Sequence, residues 1–327
     1  MNAPVEFRTI PGKDGIRLNV ALAGAGPLVL FVHGFPESWY SWRHQIGAVV
    51  AAGFRAAALE VRGYGASDKP RPVEAYSIVE LAGDIAAVID ALAPEGAVLV
   101  GHDWGAVQVQ AAALLHPAKV RGMVTVSVPA AAHPPRKPSE TWPRLYGERV
   151  FYQAYFQAEG VAEAEFEPDL ERFIRIFFRS LSGQGSLDEN VLIRPAGTTR
   201  LLDGLPDPGE LPAWLSGEDV RFYAESFRRS GLRGPLNRYR CVDLDWSLMR
   251  PFADSRIEQP SLFIGGTLEP TRYMVPGFDR YADPVPRLAD VRGVHFLDGV
   301  GHWVQQEAPE ETSRLILGFL ATLDRPH

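Results

Sequence analysis

Gly101-His102-Asp103-Trp104-Gly105 sets one oxygen-bearing side chain in the G-x-Nuc-x-G spacing of a nucleophile elbow, with aspartate where serine usually stands. The apolar run Ala97–Val100 leads in, and the small-residue stretch Ala106–Leu115 leads out. That is the strand, tight turn and helix the motif requires. The flanking glycines let the backbone bend sharply and let strand and helix approach closely. A carboxylate held there is a covalent nucleophile. It forms an ester by alkylation rather than by acyl transfer. The expected reaction is therefore opening or displacement at a saturated carbon.

Two further groups have the spacing to serve such a nucleophile. Gly301-His302-Trp303 follows the strand-like residues 294–297, and a histidine in a glycine-flanked loop after the last strand can reach the elbow. Glu269, just beyond the apolar run Ser261–Gly265, is the expected acid. It would hold the His302 tautomer and stabilise its cation. Asp254 and Asp298 are the alternatives for that role. His33-Gly34-Phe35-Pro36 follows the run Leu28–Val32, where one oxyanion amide is supplied. The candidate donors are the backbone N–H groups of Phe35 and Trp104, and a cis bond before Pro36 would fix the turn. The chain order nucleophile, acid, histidine is that of an α/β hydrolase.

The elements that must position these groups repeat one pattern. Leu28–Val32, Arg55–Val61, Ala97–Val100, Met123–Val128, Ser261–Gly265 and Val294–Leu297 are short apolar runs, as buried parallel strands are. Helical segments separate several of them. Ile78, Leu81, Ile85, Val88, Ile89 and Leu92 share one helical face, and Ser77 with Glu80 has the spacing of a capping box. Alternating strands and helices predict an α/β fold with a doubly wound, mostly parallel sheet. Between residues 132 and 248 the strand pattern nearly vanishes, and segments rich in aromatic and charged residues take over. The expected division is a core of residues 1–131 and 249–327, with a mainly helical cap at 132–248. A lid over a sheet makes a cleft that suits a ligand.

The bulk properties exclude several function classes. The chain has 327 residues, 46% hydrophobic and 22% charged, with a net charge of −7 and no basic block. Nucleic acid is not an expected partner. No apolar run has the length of a membrane span, and Val20–Val32, broken by Gly24, Gly26 and Pro27, reads as two strands and a turn rather than a signal peptide. The single cysteine, Cys241, suits a reducing compartment, so a cytoplasmic location is expected. His33, His102 and Glu60 are expected to be structural or pocket-lining.

The chain resembles an α/β-hydrolase-fold epoxide hydrolase of the soluble type over nearly its whole length. The matching segments are 33–39, 62–67, 101–105 and 301–303, with Phe151–Gln157 and Arg233–Tyr239 in the cap. The resemblance implies that Tyr152 and Tyr239 bind the epoxide oxygen. The sequence pattern alone leaves Tyr152 level with Tyr155 and Tyr146. The resemblance further implies an Asp103 ester hydrolysed by water that His302 activates, with no cofactor and no metal. The expected substrate wall comprises Trp39, Trp142, Phe156 and Trp303, beside Phe35 and Trp104. The partners implied are a small-molecule epoxide and water, and a homodimer is compatible with this. Two residues depart from the family pattern: Glu269 and Glu60 stand where aspartate is usual. Haloalkane dehalogenase is the alternative reaction for the same nucleophile. A catalytically silent receptor on this scaffold is the alternative from another class.

Overall fold

The computed structural model describes residues 4–188 and 190–323. Among the described residues ten strands are formed: β1 (Glu6–Pro11), β2 (Arg17–Ala23), β3 (Leu28–Val32), β4 (Arg55–Leu59), β5 (Ala97–His102), β6 (Val120–Val126), β7 (Val150–Phe151), β8 (Ile193–Arg194), β9 (Ile257–Gly266) and β10 (Leu288–Leu297). Eight of them make one sheet in the order β1-β2-β4-β3-β5-β6-β9-β10. β1, β2 and β4 pair antiparallel, and every pair from β4 to β10 is parallel. This is the doubly wound, mostly parallel sheet that the apolar runs predict. Among the described residues no helix is long and apolar enough to cross a membrane.

The centre of the sheet is dry on both faces. All five residues of β3 are buried; Leu28, Leu30 and Val32 join one core, and Val29 and Phe31 the other. That is the period-two division of a strand between two layers. Helices α2 (Ile78–Leu92) and α3 (Trp104–Leu115) cover the first face; α1 (Arg43–Ala51) and α12 (Pro309–Ala321) cover the second. Between β6 and β9 the chain builds helices α4 (Pro138–Tyr146), α5 (Tyr152–Tyr155), α6 (Val161–Phe166), α7 (Leu170–Leu181), α8 (Gly217–Ser230), α9 (Arg233–Arg240) and α10 (Val242–Met249), and the small β7–β8 ribbon.

The expected capping box at Ser77 does not form. The Ser77 side chain caps nothing. Glu80 turns instead to Lys13 and approaches Arg62 at 3.8 Å. The first amide of α2, Ile78 N, is met by Asp245 Oδ1 of α10 at 2.7 Å. A carboxylate at the positive end of a helix does the work of the missing hydroxyl. Several strands also run past their apolar runs: β6 begins at Val120 and β9 at Ile257, where partner strands continue the pairing.

Two glycines fix the turn between β5 and α3. A Cβ on Gly101 would run into the Gly105 carbonyl, and one on Gly105 into the Val32 carbonyl. Close approach of β3, β5 and α3 therefore depends on both. Gly105→Ala is expected to cost about 1–3 kcal/mol through overpacking. Thermal unfolding followed by circular dichroism checks this, and an unchanged Tm would contradict the close contact.

Candidate active site

Asp103 sits at the junction of β5 and α3 with φ 51 and ψ −121. A non-glycine residue in that region carries strain on the order of 1–3 kcal/mol. The strain aims its side chain at the loop after β3. There Phe35 N donates to Asp103 Oδ1 at 2.9 Å, and the Phe35–Pro36 bond is cis. A side chain at Gly34 would collide with Asp103. Trp104 opens α3, so its amide is among those with no partner inside the helix.

The loop after β10 brings His302 in from the other side. His302 Nε2 faces Asp103 Oδ2 at 3.6 Å, and Nδ1 meets Glu269 Oε2 at 2.8 Å. Glu269 has no exposed surface, and its Oε1 accepts Thr271 N at 2.8 Å. The longer side chain thus reaches the histidine from a short turn that begins where β9 ends. Of the alternatives, Asp298 accepts from the Thr267 hydroxyl at 3.3 Å, and Asp254 lies beside Arg287.

Two phenols close the site from above. Tyr152 begins α5 and Tyr239 lies near the end of α9; their rings meet at 5.8 Å. Phe156 packs against both, and Phe35 packs against Tyr239 at 5.4 Å. The rivals are engaged elsewhere: Tyr155 donates to Glu165 at 2.6 Å and Tyr146 to the Met274 carbonyl at 2.9 Å. Tyr152 Oη accepts Gln153 Nε2 at 2.8 Å, which leaves its own proton free to donate. The sequence pattern does not single out Gln153, although it stands next to Tyr152 in the segment Phe151–Gln157.

The comparisons with known proteins agree on one family. Residues 27–309 match the family model for the alpha/beta hydrolase fold. Epoxide hydrolase A of Mycobacterium tuberculosis is 40% identical over 99% of each chain. The solved epoxide hydrolase from an endophytic Streptomyces is 44% identical, with a TM-score of 0.90 over 97% of this chain and 95% of that one. Epoxide Hydrolase A from Mycobacterium thermoresistibile is 38% identical, with a TM-score of 0.91 over 99% and 100%. The chain belongs to the epoxide hydrolase family of the α/β-hydrolase fold.

Set in this family, the charges of the site have a definite order. Burial opposes charge on all three members of the Asp103–His302–Glu269 row, but their mutual attraction wins. Both carboxylates are held below their usual range, and the His302 imidazolium between them is pushed up. Burial and then the Asp103 charge push both phenols up, so Tyr152 and Tyr239 stay protonated donors.

Behind the row lies a second, fully buried set of bonds. The Glu37 carboxylate accepts Gly34 N at 3.1 Å, Gln305 Nε2 at 2.8 Å and Gln306 Nε2 at 3.1 Å, and meets His102 Nδ1 at 2.7 Å. His102 Nε2 and the Ser127 hydroxyl both donate to the His302 carbonyl, at 2.8 and 2.7 Å. His33 is likewise structural, accepting Val61 N at 3.2 Å. Glu60 accepts Asn19 Nδ2 and Ala66 N, which holds the 62–67 turn.

The expected wall needs correction at one residue and refinement at two. Trp39 packs against Phe7 of β1 and Phe222 of α8, away from the Asp103 cleft. Ser38 caps the short turn 39–42, which sends Trp42 inward onto Phe31 and Trp39 outward. Trp142 touches Phe151, one ring removed from Tyr152. Trp303 is fully buried; it stacks on Phe178 and backs the His302 ring at 4.7 Å. Arg238, which stacks over Trp104 at 4.5 Å, was not anticipated.

The raised His302 pKa has a signed consequence for stability. The contribution of its charged form is complete below the unfolded value of about 6.5 and is lost as pH rises through the folded value, about 10. The Tm of the wild type is expected to fall across that window, and His302→Gln to flatten the fall. Identical slopes in the two proteins would remove the charge pairing from the account.

Proposed function

We propose that this chain hydrolyses apolar epoxides to vicinal diols through an alkyl ester on Asp103. The observation that carries the reading is two phenols in the lid, both within the field of an elbow carboxylate that His302 also faces. In this reading residues 132–248 form the cap over a core of 1–131 and 249–327, and the site acts in the cytoplasm on a small-molecule epoxide and water. A cavity of about 300 Å³ lies beside Trp104 and Gln153, where Val107, Leu114, Val242, Trp246 and Met249 give it an apolar stretch and Arg238, Asp245, Arg280 and Arg287 a charged one; in this reading the body of the epoxide lies along the apolar stretch.

The first step is displacement at ring carbon. Tyr152 and Tyr239 donate hydrogen bonds to the epoxide oxygen while an Asp103 oxygen attacks from the opposite side. The C–O bond breaks, a phenol proton passes to the leaving alkoxide, and the ester forms. Asp103 thereby loses its charge. His302 then keeps only Glu269 as an anionic neighbour and releases its extra proton, which restores the phenol through solvent. The neutral imidazole takes a proton from water, and hydroxide attacks the Asp103 carbonyl carbon. The Phe35 and Trp104 amides receive the tetrahedral oxyanion. Collapse releases the diol and leaves one water oxygen in Asp103. Haloalkane dehalogenation is not favoured, because the paired lid phenols suit an alkoxide and the relatives are named epoxide hydrolases.

A single turnover of styrene oxide in oxygen-18 water tests the route. Label is expected in the peptide carrying Asp103, with unlabelled first-turnover diol; labelled diol and unlabelled protein would mean direct water attack. His302→Gln is expected to stop at the ester, seen as a protein mass increased by one epoxide. Tyr152→Phe and Tyr239→Phe are each expected to slow alkylation by about a hundredfold or more, the scale of proton-donor loss. Stopped-flow measurement of the alkylation phase checks this, and unchanged rates would release the phenols from their role.

A further inference from the structure

The loop that carries His302 is held from an unexpected direction. Glu307, at the end of α11 (Val304–Glu307), turns back over the loop it follows. Its Oε2 accepts Gly301 N at 3.1 Å and its Oε1 accepts Trp303 N at 3.0 Å. The peptide units on both sides of His302 are thus tied to one carboxylate. Oε2 also accepts Gly183 N at 2.8 Å, from the segment that follows α7. His302 N itself donates to the Leu181 carbonyl at 2.8 Å. Residues 181–183 of the helical insertion and 301–303 of the core therefore share a seam.

Two glycines make the seam this tight. A Cβ on Gly183 would run into the Gly299 carbonyl, and one on Gly301 into the backbone at Ser182 and Gly183. All three partners of Glu307 are backbone donors, so the carboxylate form satisfies every bond, whereas an amide would set a donor against a donor. Nothing in the reaction consumes this carboxylate. It touches neither Asp103 nor the phenols; its contacts are with the backbone that aims His302.

We infer that Glu307 is a positioning residue: it fixes the His302 backbone against residues 181–183, so that seating of the cap and aim of the imidazole are set together. The inference rests on the ester route above. Formation of the ester needs Asp103 and the phenols of α5 and α9, whereas its hydrolysis needs His302 aimed at water. Loosening the seam therefore slows the second step selectively. Misplacement of a reacting group by about 1 Å costs on the order of a hundredfold.

The test is a rapid-quench single turnover of styrene oxide by the wild type, Glu307→Gln and Gly183→Ala. Ester is read as intact protein mass and diol by chromatography. Expected is a hydrolysis step slower by about tenfold to a hundredfold in both variants, with ester formation near the wild-type rate, so that ester accumulates where the wild type shows little. The pH profile of hydrolysis is expected to move in the variants, because a loosened His302 pairs less well with Glu269. Glu307→Asp, which keeps the charge, should recover part of the rate, and it carries the test if Glu307→Gln does not fold. Parallel slowing of both steps, or no change in either, in folded variants would overturn the inference alone. First-turnover wild-type diol that carries oxygen-18 from the solvent, with no label in Asp103, would overturn the ester route and this inference with it.

Discussion

Four hydrogen bonds converge on Glu37, a side chain with no exposed surface, and they join the loop after β3, the end of β5 and the helical turn that follows His302. Gly34 belongs to the loop that supplies the Phe35 amide. His102 precedes Asp103 in the elbow. Gln305 and Gln306 follow His302. The network closes through His102 Nε2 on the His302 carbonyl; a carbonyl only accepts, so that nitrogen carries a proton. Removing one of these partners leaves a buried acceptor short of a bond, at a cost of about 1–3 kcal/mol. The relative positions of Asp103, the Phe35 amide and His302 are therefore properties of one polar cluster beneath them. The strained Asp103 backbone can persist because its surroundings over-determine it.

Above that cluster the chemistry is ordered by charge. In the resting site His302 lies between two carboxylates, and its raised pKa makes it a poor base. That suits the first step of the proposed route, in which Asp103 and not water attacks. In that route esterification would remove one of the two charges that hold the proton. The histidine would then become a base only once there is an ester to hydrolyse. Its bond to Glu269 would keep the imidazole oriented while its proton affinity changes. One side chain can thus serve two steps without moving.

Much of this was legible in the sequence because it is local. Gly101 and Gly105 mark a turn whose geometry needs them, and the five residues of β3 coincide with an apolar run. The choice of Tyr152 over Tyr155 was not local; it depends on Glu165 claiming the Tyr155 hydroxyl, a contact ten residues away. The capping box at Ser77 failed for the same kind of reason, since Asp245, far along the chain, reaches the helix first. Trp39 was misplaced because the run 39–42 is a tight turn with tryptophan at each end, and only one ring can face inward. Glu37 and Glu307 read in the sequence as ordinary charged residues; their partners are backbone amides, two glutamines and His102, which leave no spacing to read.

The same distinction explains how the inserted helices that carry Tyr152 and Tyr239 are held against the core. The insertion meets the core through bonds that cross in both directions. Asp245 of α10 accepts the first amide of α2, and Asp219 of α8 pairs with Arg43 of α1 at 3.2 Å. From the core, Glu307 accepts Gly183 N and Gln306 accepts the Tyr223 hydroxyl at 2.9 Å. Lifting the insertion as a body would leave several of these groups unpaired, each at about 1–3 kcal/mol. α5, a single turn of four residues, presents Tyr152 from within a buried aromatic cluster that includes Phe151, Phe156 and Tyr239. The edges of the insertion and this cluster together fix where the two hydroxyls stand.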